Sequence, residues 1–316
     1  MSLETLPDEL FSQLCSHLNS SDLCTLALSC HTLQKPSERI LYRNIRVSRP
    51  RSLIQLSRAL SSIKLEGVKA SYVRSLCIDF APSSLKPFDF APRHLARFVR
   101  TTLASVPSVL DLELIIPFYQ HIESENSPFD FFSPDRFPIS NLRSLSTNAP
   151  FDAALEAFFS SPKCAKLETL RLIPAHTRST PRLPLATLPC LSKLAVPDFL
   201  VALLCCYRPI TKLSIGPGRT YDGMLKTVVL GAGLAQGSAE RLAELDVEIV
   251  PSVRNISTVA SALPGVKSLT IQLPAYVRRR PYPASSLLIA SQRKLWNLYL
   301  QMKSQQHWRG LRGCVR

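Results

Sequence analysis

Apolar and polar positions along this chain follow two spacings, one helical and one of strand type. The strand-type unit has six positions, φ-x-x-φ-x-φ with φ apolar, and it recurs eight times. It reads Val73/Leu76/Ile78, Val109/Leu112/Leu114, Leu142/Leu145/Thr147 and Leu167/Leu170/Leu172. It continues as Leu191/Leu194/Val196, Ile210/Leu213/Ile215, Leu242/Leu245/Val247 and Val266/Leu269/Ile271. Thr147 is the one φ position that is not apolar. The last two φ positions alternate with other residues, the period of a strand with one buried face. Those alternating residues are Ser75/Cys77, Asp111/Glu113, Ser144/Ser146, Thr169/Arg171, Lys193/Ala195, Lys212/Ser214, Glu244/Asp246 and Ser268/Thr270, of which only Cys77 and Ala195 are apolar. One face of each strand is therefore core and the other is wet. Central leucines lie 36, 33, 25, 24, 19, 32 and 24 residues apart, within the range of stacked repeats. Between the strands lie runs with helical spacing: Leu53-Ile54-Leu56-Leu60, Leu95-Phe98-Val99-Leu103, and Phe151 with Leu155, Phe158 and Phe159. Alternating helix and strand predicts an α/β fold with a parallel sheet.

The first 45 residues follow the helical spacing instead. Pro7 suits the first turn of a helix, where its missing N–H costs nothing, and Thr5 with Asp8 has capping-box spacing. Leu10, Leu14 and Leu18 recur at i, i+4 and i+8. Asn19-Ser20-Ser21-Asp22 ends that helix and caps a second, with Leu23, Leu26, Ala27 and Cys30 on one face. A third restarts at Pro36, with Ile40 and Leu41 as its apolar side. Three helices in so few residues enclose little core, so the module should lean on a neighbour or a partner.

The ordered string Leu6-Pro7-Asp8-Glu9-Leu10, Leu14, Leu18, Asp22-Leu23, Leu26-Ala27-Leu28-Ser29-Cys30 and Leu41-Tyr42-Arg43-Asn44-Ile45 resembles the F-box, most of all the F-box-like domains of fungal proteins. Tyr42 stands where Trp is common. The resemblance implies a three-helix hook that docks on the Skp adaptor of a Skp–cullin–F-box ubiquitin ligase. By position, Leu6, Pro7, Leu10, Leu14, Leu18, Leu23, Leu26 and Leu41 would be core or adaptor-facing. An N-terminal helical cap is the plainer alternative, but a cap has no reason to reproduce the whole ordered pattern.

The strand repeat in turn resembles leucine-rich repeats, with insertions in its longer units. Regular repeats of that kind place Asn or Cys three residues after the last apolar strand position. Here those places hold Ala81, Pro117, Pro150, Ala175, Phe199, Gly218, Val250 and Pro274, so the repeats are degenerate. The expected fold is α/β: a three-helix F-box over residues 1–48, then a leucine-rich-repeat-like curved solenoid with a parallel sheet over 49–275. Residues 276–316 would form a basic capping helix and tail. A doubly wound α/β domain also alternates helix and strand.

Composition narrows the function. The chain has 316 residues, 46% of them hydrophobic and 19% charged, enough for a substantial core and against wholesale disorder. No run of roughly 18–20 apolar residues suits a membrane span. The acidic N-terminus lacks the basic region of a secretory signal. Nine scattered Cys, six isolated His and no Cys-x-x-Cys pair point to a reduced compartment, cytoplasmic or nuclear, and give no metal-ligand spacing. Net charge is +15. Residues 1–45 carry −2 (Lys35, Arg39 and Arg43 against Glu4, Asp8, Glu9, Asp22 and Glu38), whereas 276–316 carry nine basic side chains and no acid. That polarity describes distinct regions rather than one basic nucleic-acid binder, and no aromatic-interleaved basic stripe occurs. The tail, with Arg278-Arg279-Arg280 and a terminal Trp308-Arg309-Gly310, reads either as a cap on the last repeat or as a nuclear or nucleic-acid contact.

Enzyme motifs are missing. Gly231, Gly233 and Gly237 are one residue off a dinucleotide loop, and neither a phosphate loop nor a nucleophile elbow occurs. No catalytic residue, cofactor or metal is expected. Residues 81–92 and 125–138 mix Pro with Phe88, Phe90, Phe129, Phe131 and Phe132, either loops packed on a sheet edge or a partner-binding lip. On the wet face, Arg171, Lys193 and Lys212 should form a basic middle beside acidic Glu244, Asp246 and Glu248, a dipolar surface for a protein target. The expected function is substrate recognition in a ubiquitin ligase, with a non-ligase scaffold or a nucleic-acid-associated protein as alternatives.

Overall fold

The computed structural model of the chain describes residues 7–61, 68–80, 92–116, 131–135, 137–173, 183–184, 187–205, 207–216, 241–248 and 266–272. Three helices come first: α1 (Asp8–Ser16), α2 (Ser20–Ser29) and α3 (His31–Leu41). Pro7 stands just ahead of α1 as its N-cap, and no side chain caps that helix. Asn19 caps α2 as expected, its side-chain oxygen accepting the Ser21 and Asp22 N–H groups at 2.9 and 3.0 Å. The third helix begins five residues earlier than Pro36, which lies inside it. Pro36 thus leaves the Thr32 carbonyl without the N–H an α-helix would offer.

An open parallel sheet follows, its strands in sequence order. It comprises β1 (Asn44–Val47), β2 (Ser75–Asp79), β3 (Asp111–Ile115), β4 (Ser144–Thr147), β5 (Thr169–Leu172), β6 (Lys193–Pro197), β7 (Lys212–Gly216), β8 (Glu244–Glu248) and β9 (Ser268–Gln272). Strands β2 to β9 are the eight repeats read from the sequence. Their central leucines align in one row, Leu76 through Leu112, Leu145, Leu170, Leu194, Leu213 and Leu245 to Leu269. The added strand, β1, places Ile45 beside Leu76.

A shared backbone feature makes the units equivalent. One carbonyl ahead of each strand from β1 to β8 accepts two successive N–H groups from the start of the next strand. The eight carbonyls belong to Arg43, Arg74, Leu110, Arg143, Glu168, Ser192, Thr211 and Ala243, and the sixteen bonds measure 2.8–3.1 Å. Backbone groups at the strand entries are thereby satisfied without side chains, which is how repeats of unequal length keep one register.

Helices α4 (Pro50–Leu60), α5 (Val68–Tyr72), α6 (Pro92–Ser105), α7 (Ala153–Ser160) and α8 (Asp198–Cys205) connect the strands. Their apolar faces and the inner strand positions form one continuous core, from Val47 to Leu245. Leu53, Leu95, Val99, Leu155 and Phe158 are buried in it, matching the helical spacing of the sequence. The N-terminal helices have a separate small core of Phe11, Cys15, Leu23 and Leu33.

Two polar residues close the end of β4. The buried Thr147 hydroxyl accepts the Ala149 N–H at 3.1 Å. Asn148 bridges to β3, accepting the Ile116 N–H at 2.8 Å and donating to its carbonyl at 2.9 Å. A bridging asparagine therefore exists, two residues earlier in the unit than the position a regular leucine-rich repeat would use.

Candidate functional site

The helical module leaves apolar surface uncovered. Successive helical residues are about 100° apart, so the stripe Leu10–Leu14 lies beside the stripe Phe11–Cys15, and a small core can take only one. It takes Phe11 and Cys15. Leu10 and Leu14 stay 51% and 40% exposed, and Leu28 on α2 is 89% exposed. Of the leucines expected to be core or adaptor-facing, Leu23 is core, and Leu18, Leu26 and Leu41 pack against it half-buried. Pro7 is exposed, and Leu6 lies outside the described residues. Phe11 is a core residue that the leucine stripe concealed, and Leu33 is one that the expected helix start at Pro36 left out.

The module is also tied to the sheet. Lys69 on α5 donates to the Glu38 carboxylate on α3 at 2.8 Å, both largely shielded from water. Its ammonium lies 5.4 Å from the centre of the Tyr42 ring. Burial opposes the Lys69 charge, but the bond to Glu38 and the fields of Tyr42 and Glu38 outweigh it, so its pKa stands above the ordinary lysine value.

On the wet face, register sets two columns of side chains. One runs Asn44, Ser75, Asp111, Ser144, Thr169, Lys193, Lys212, Glu244 and Ser268. The other starts at Arg46 and passes Cys77, Glu113, Ser146, Arg171, Ala195, Ser214 and Asp246 to Thr270. Lys193 and Lys212 are direct neighbours, with Arg171 one strand further. The basic middle meets the acidic end directly: Lys212 pairs with Glu244 at 2.6 Å. That hydrogen bond holds the Lys212 pKa above and the Glu244 pKa below their ordinary values. Asp246 shares β8 with Glu244, as does the backbone of Glu248, whose side chain lies outside the description. At the other end Arg46 pairs with Asp79 at 3.5 Å.

Cys77 on this face is no poised nucleophile. Burial first, then the hydrogen bond it donates to Glu113 at 3.1 Å, pushes its pKa up to about 12. Burial likewise raises Cys164 to about 12. Cys24 on α2 is exposed. Among the described residues no three of His, Cys, Asp and Glu cluster as metal ligands, and no helix is long and apolar enough to cross a membrane.

Of the Phe-rich insertions, Phe131 and Phe132 are described, and both are buried. Phe132 packs at 5.2 Å on Phe158 and at 5.8 Å on Phe137, aromatic packing rather than a lip. Phe88, Phe90 and Phe129, the three glycines and the basic tail lie outside the described residues.

Residues 3–48 match the sequence model of the F-box-like family, so the chain carries an F-box-like domain at its N-terminal end. F-box domains generally bind Skp-type adaptors, which suggests an adaptor role in a Skp–cullin–F-box ubiquitin ligase in general. The matched segment contains all three N-terminal helices and β1. No curated protein matches the chain.

Proposed function

We propose that this protein is a non-catalytic substrate-recognition subunit of a Skp–cullin–F-box ubiquitin ligase, working inside the cell. The F-box-like module over residues 1–48 binds the Skp-type adaptor and, through it, the cullin. The parallel sheet, β1 to β9, holds a protein target. Catalysis is proximity: the target is held near a ubiquitin donor on another subunit, which raises their effective concentration. The observation that carries the reading is the pair Leu10 and Leu14, left in water by an F-box-like helix whose own core is already filled. Burying one such leucine against a partner is worth roughly 1.5–3 kcal/mol. We also read the sheet as a degenerate leucine-rich-repeat solenoid, supported by its parallel sequential strands and recurring doubly accepting carbonyls.

The test is Leu10→Glu with Leu14→Glu. Both side chains are exposed, so the fold should survive, while co-purification of a Skp-type adaptor should be lost. Adaptor binding that persists in the folded variant would overturn the docking site. Adaptor binding without cullin recruitment would favour a scaffold outside a ligase.

A further inference from the structure

We propose that the wet face between β3 and β6 takes an extended peptide segment bearing one basic and one acidic side chain four residues apart. The inference deepens the target-binding reading above and rests on it.

Charge and register carry the argument. At the two ends of the face the charges are satisfied internally, Arg46 by Asp79 and Lys212 by Glu244. Between them stand charges without an ion pair among the described residues: Asp111 and Glu113 on β3, Arg171 on β5 and Lys193 on β6. Asp111, Arg171 and Lys193 are exposed, and Glu113 is half-buried beneath the Cys77 thiol bond. The ground between the two rims carries only short side chains, Ser144, Thr169 and Ser146, the last with its hydroxyl buried. An acidic rim, a hydroxyl floor and a basic rim thus follow one another across the strands.

The spacing selects the ligand. Neighbouring strands are about 4.8 Å apart, so β3 and β6 are separated by about 14 Å. An extended segment rises about 3.3 Å per residue and shows side chains i, i+2 and i+4 on one face, so i to i+4 spans about 13 Å. A Lys or Arg over Asp111 and Glu113 then sets an Asp or Glu over Arg171 and Lys193, with a small residue above the hydroxyl floor. A uniformly acidic segment, or a nucleic-acid backbone, would meet repulsion along β3.

The test uses the full chain and synthetic nonapeptides displayed densely on beads, with Lys and Glu four residues apart and Ser midway. Lys/Lys and Glu/Glu peptides are the controls. The Lys/Glu peptide should be retained about tenfold more strongly than either control at physiological salt. Arg171→Glu with Lys193→Glu, shown folded by circular dichroism, should lose that peptide and gain the Lys/Lys one. Equal retention of all peptides, retention of none, or an unchanged preference in the reversed variant would overturn the proposal. Adaptor co-purification is read in the same preparations. Its loss with peptide selectivity intact sinks the ligase reading alone, and the converse sinks the surface alone.

Discussion

Thr147 occupies the last inner position of β4, where every other repeat has an apolar residue, and it is fully buried. Its hydroxyl is accommodated because the chain turns directly after it and presents the Ala149 N–H. Asn148 uses both ends of its amide on Ile116 in the same way. Thr102 on α6 is the contrast: it is fully buried, and its hydroxyl has no hydrogen-bond partner. A buried hydroxyl left unpaired costs about 1–3 kcal/mol in lost hydration, and valine has nearly the same shape. Thr102→Val should therefore stabilise the protein by about 1 kcal/mol in urea titration. A clear loss of stability would show that the hydroxyl is bonded after all.

At the scale of elements, the two faces of a strand make different predictions. Leu170 is fully buried in the middle of the sheet, and its neighbour Thr169 faces the wet side. Leu170→Ala should cost about 2–5 kcal/mol through the cavity it leaves. Thr169→Ala should stay within about 0.5 kcal/mol. Similar losses from both would mean that the register is wrong. Eight strands were legible because period-2 alternation and a repeated leucine leave only one register that buries apolar side chains. The ninth, β1, follows the same rule in Tyr42, Ile45 and Val47, but Tyr42 and Ile45 also end the F-box-like string, and the helical context hid the strand. Along and just beyond α1 the three leucines Leu10, Leu14 and Leu18 outnumbered Phe11 and Cys15. Periodicity alone cannot say which of two adjacent apolar stripes a small core will choose. Pro36 read as a helix start because proline favours a first turn, yet the apolar contacts of Leu33 begin the helix earlier. Register sets Lys193, Lys212 and Glu244 in one column of the wet face and Arg171 and Asp246 in the other, while the Lys212–Glu244 pairing depended on which strands are adjacent, a fact of topology.

For the whole molecule, the consequence of β1 is that the F-box-like segment and the sheet overlap. The three helices keep their own small core and reach the sheet region through Glu38 and Lys69. Val47 and Ile45, in contrast, belong to the large core, and the Arg43 carbonyl accepts the Arg74 and Ser75 N–H groups at 2.9 and 3.0 Å. A cut after residue 48 would therefore remove a strand along with the helices and bare the edge of β2, whose unpaired backbone groups would invite other chains. A cut just before Arg43 would remove α1 to α3 and leave every strand in place. The shorter protein beginning at Arg43 should melt cooperatively and stay monomeric, a few degrees below the full chain for the loss of the Glu38–Lys69 contact. The one beginning at Arg49 should melt lower still and self-associate in size-exclusion chromatography. Both should fail to bind a Skp-type adaptor, so only stability and association separate them. If the two melt alike and both remain monomeric, β1 contributes nothing to the sheet, and the boundary between the two parts lies at residue 48 after all.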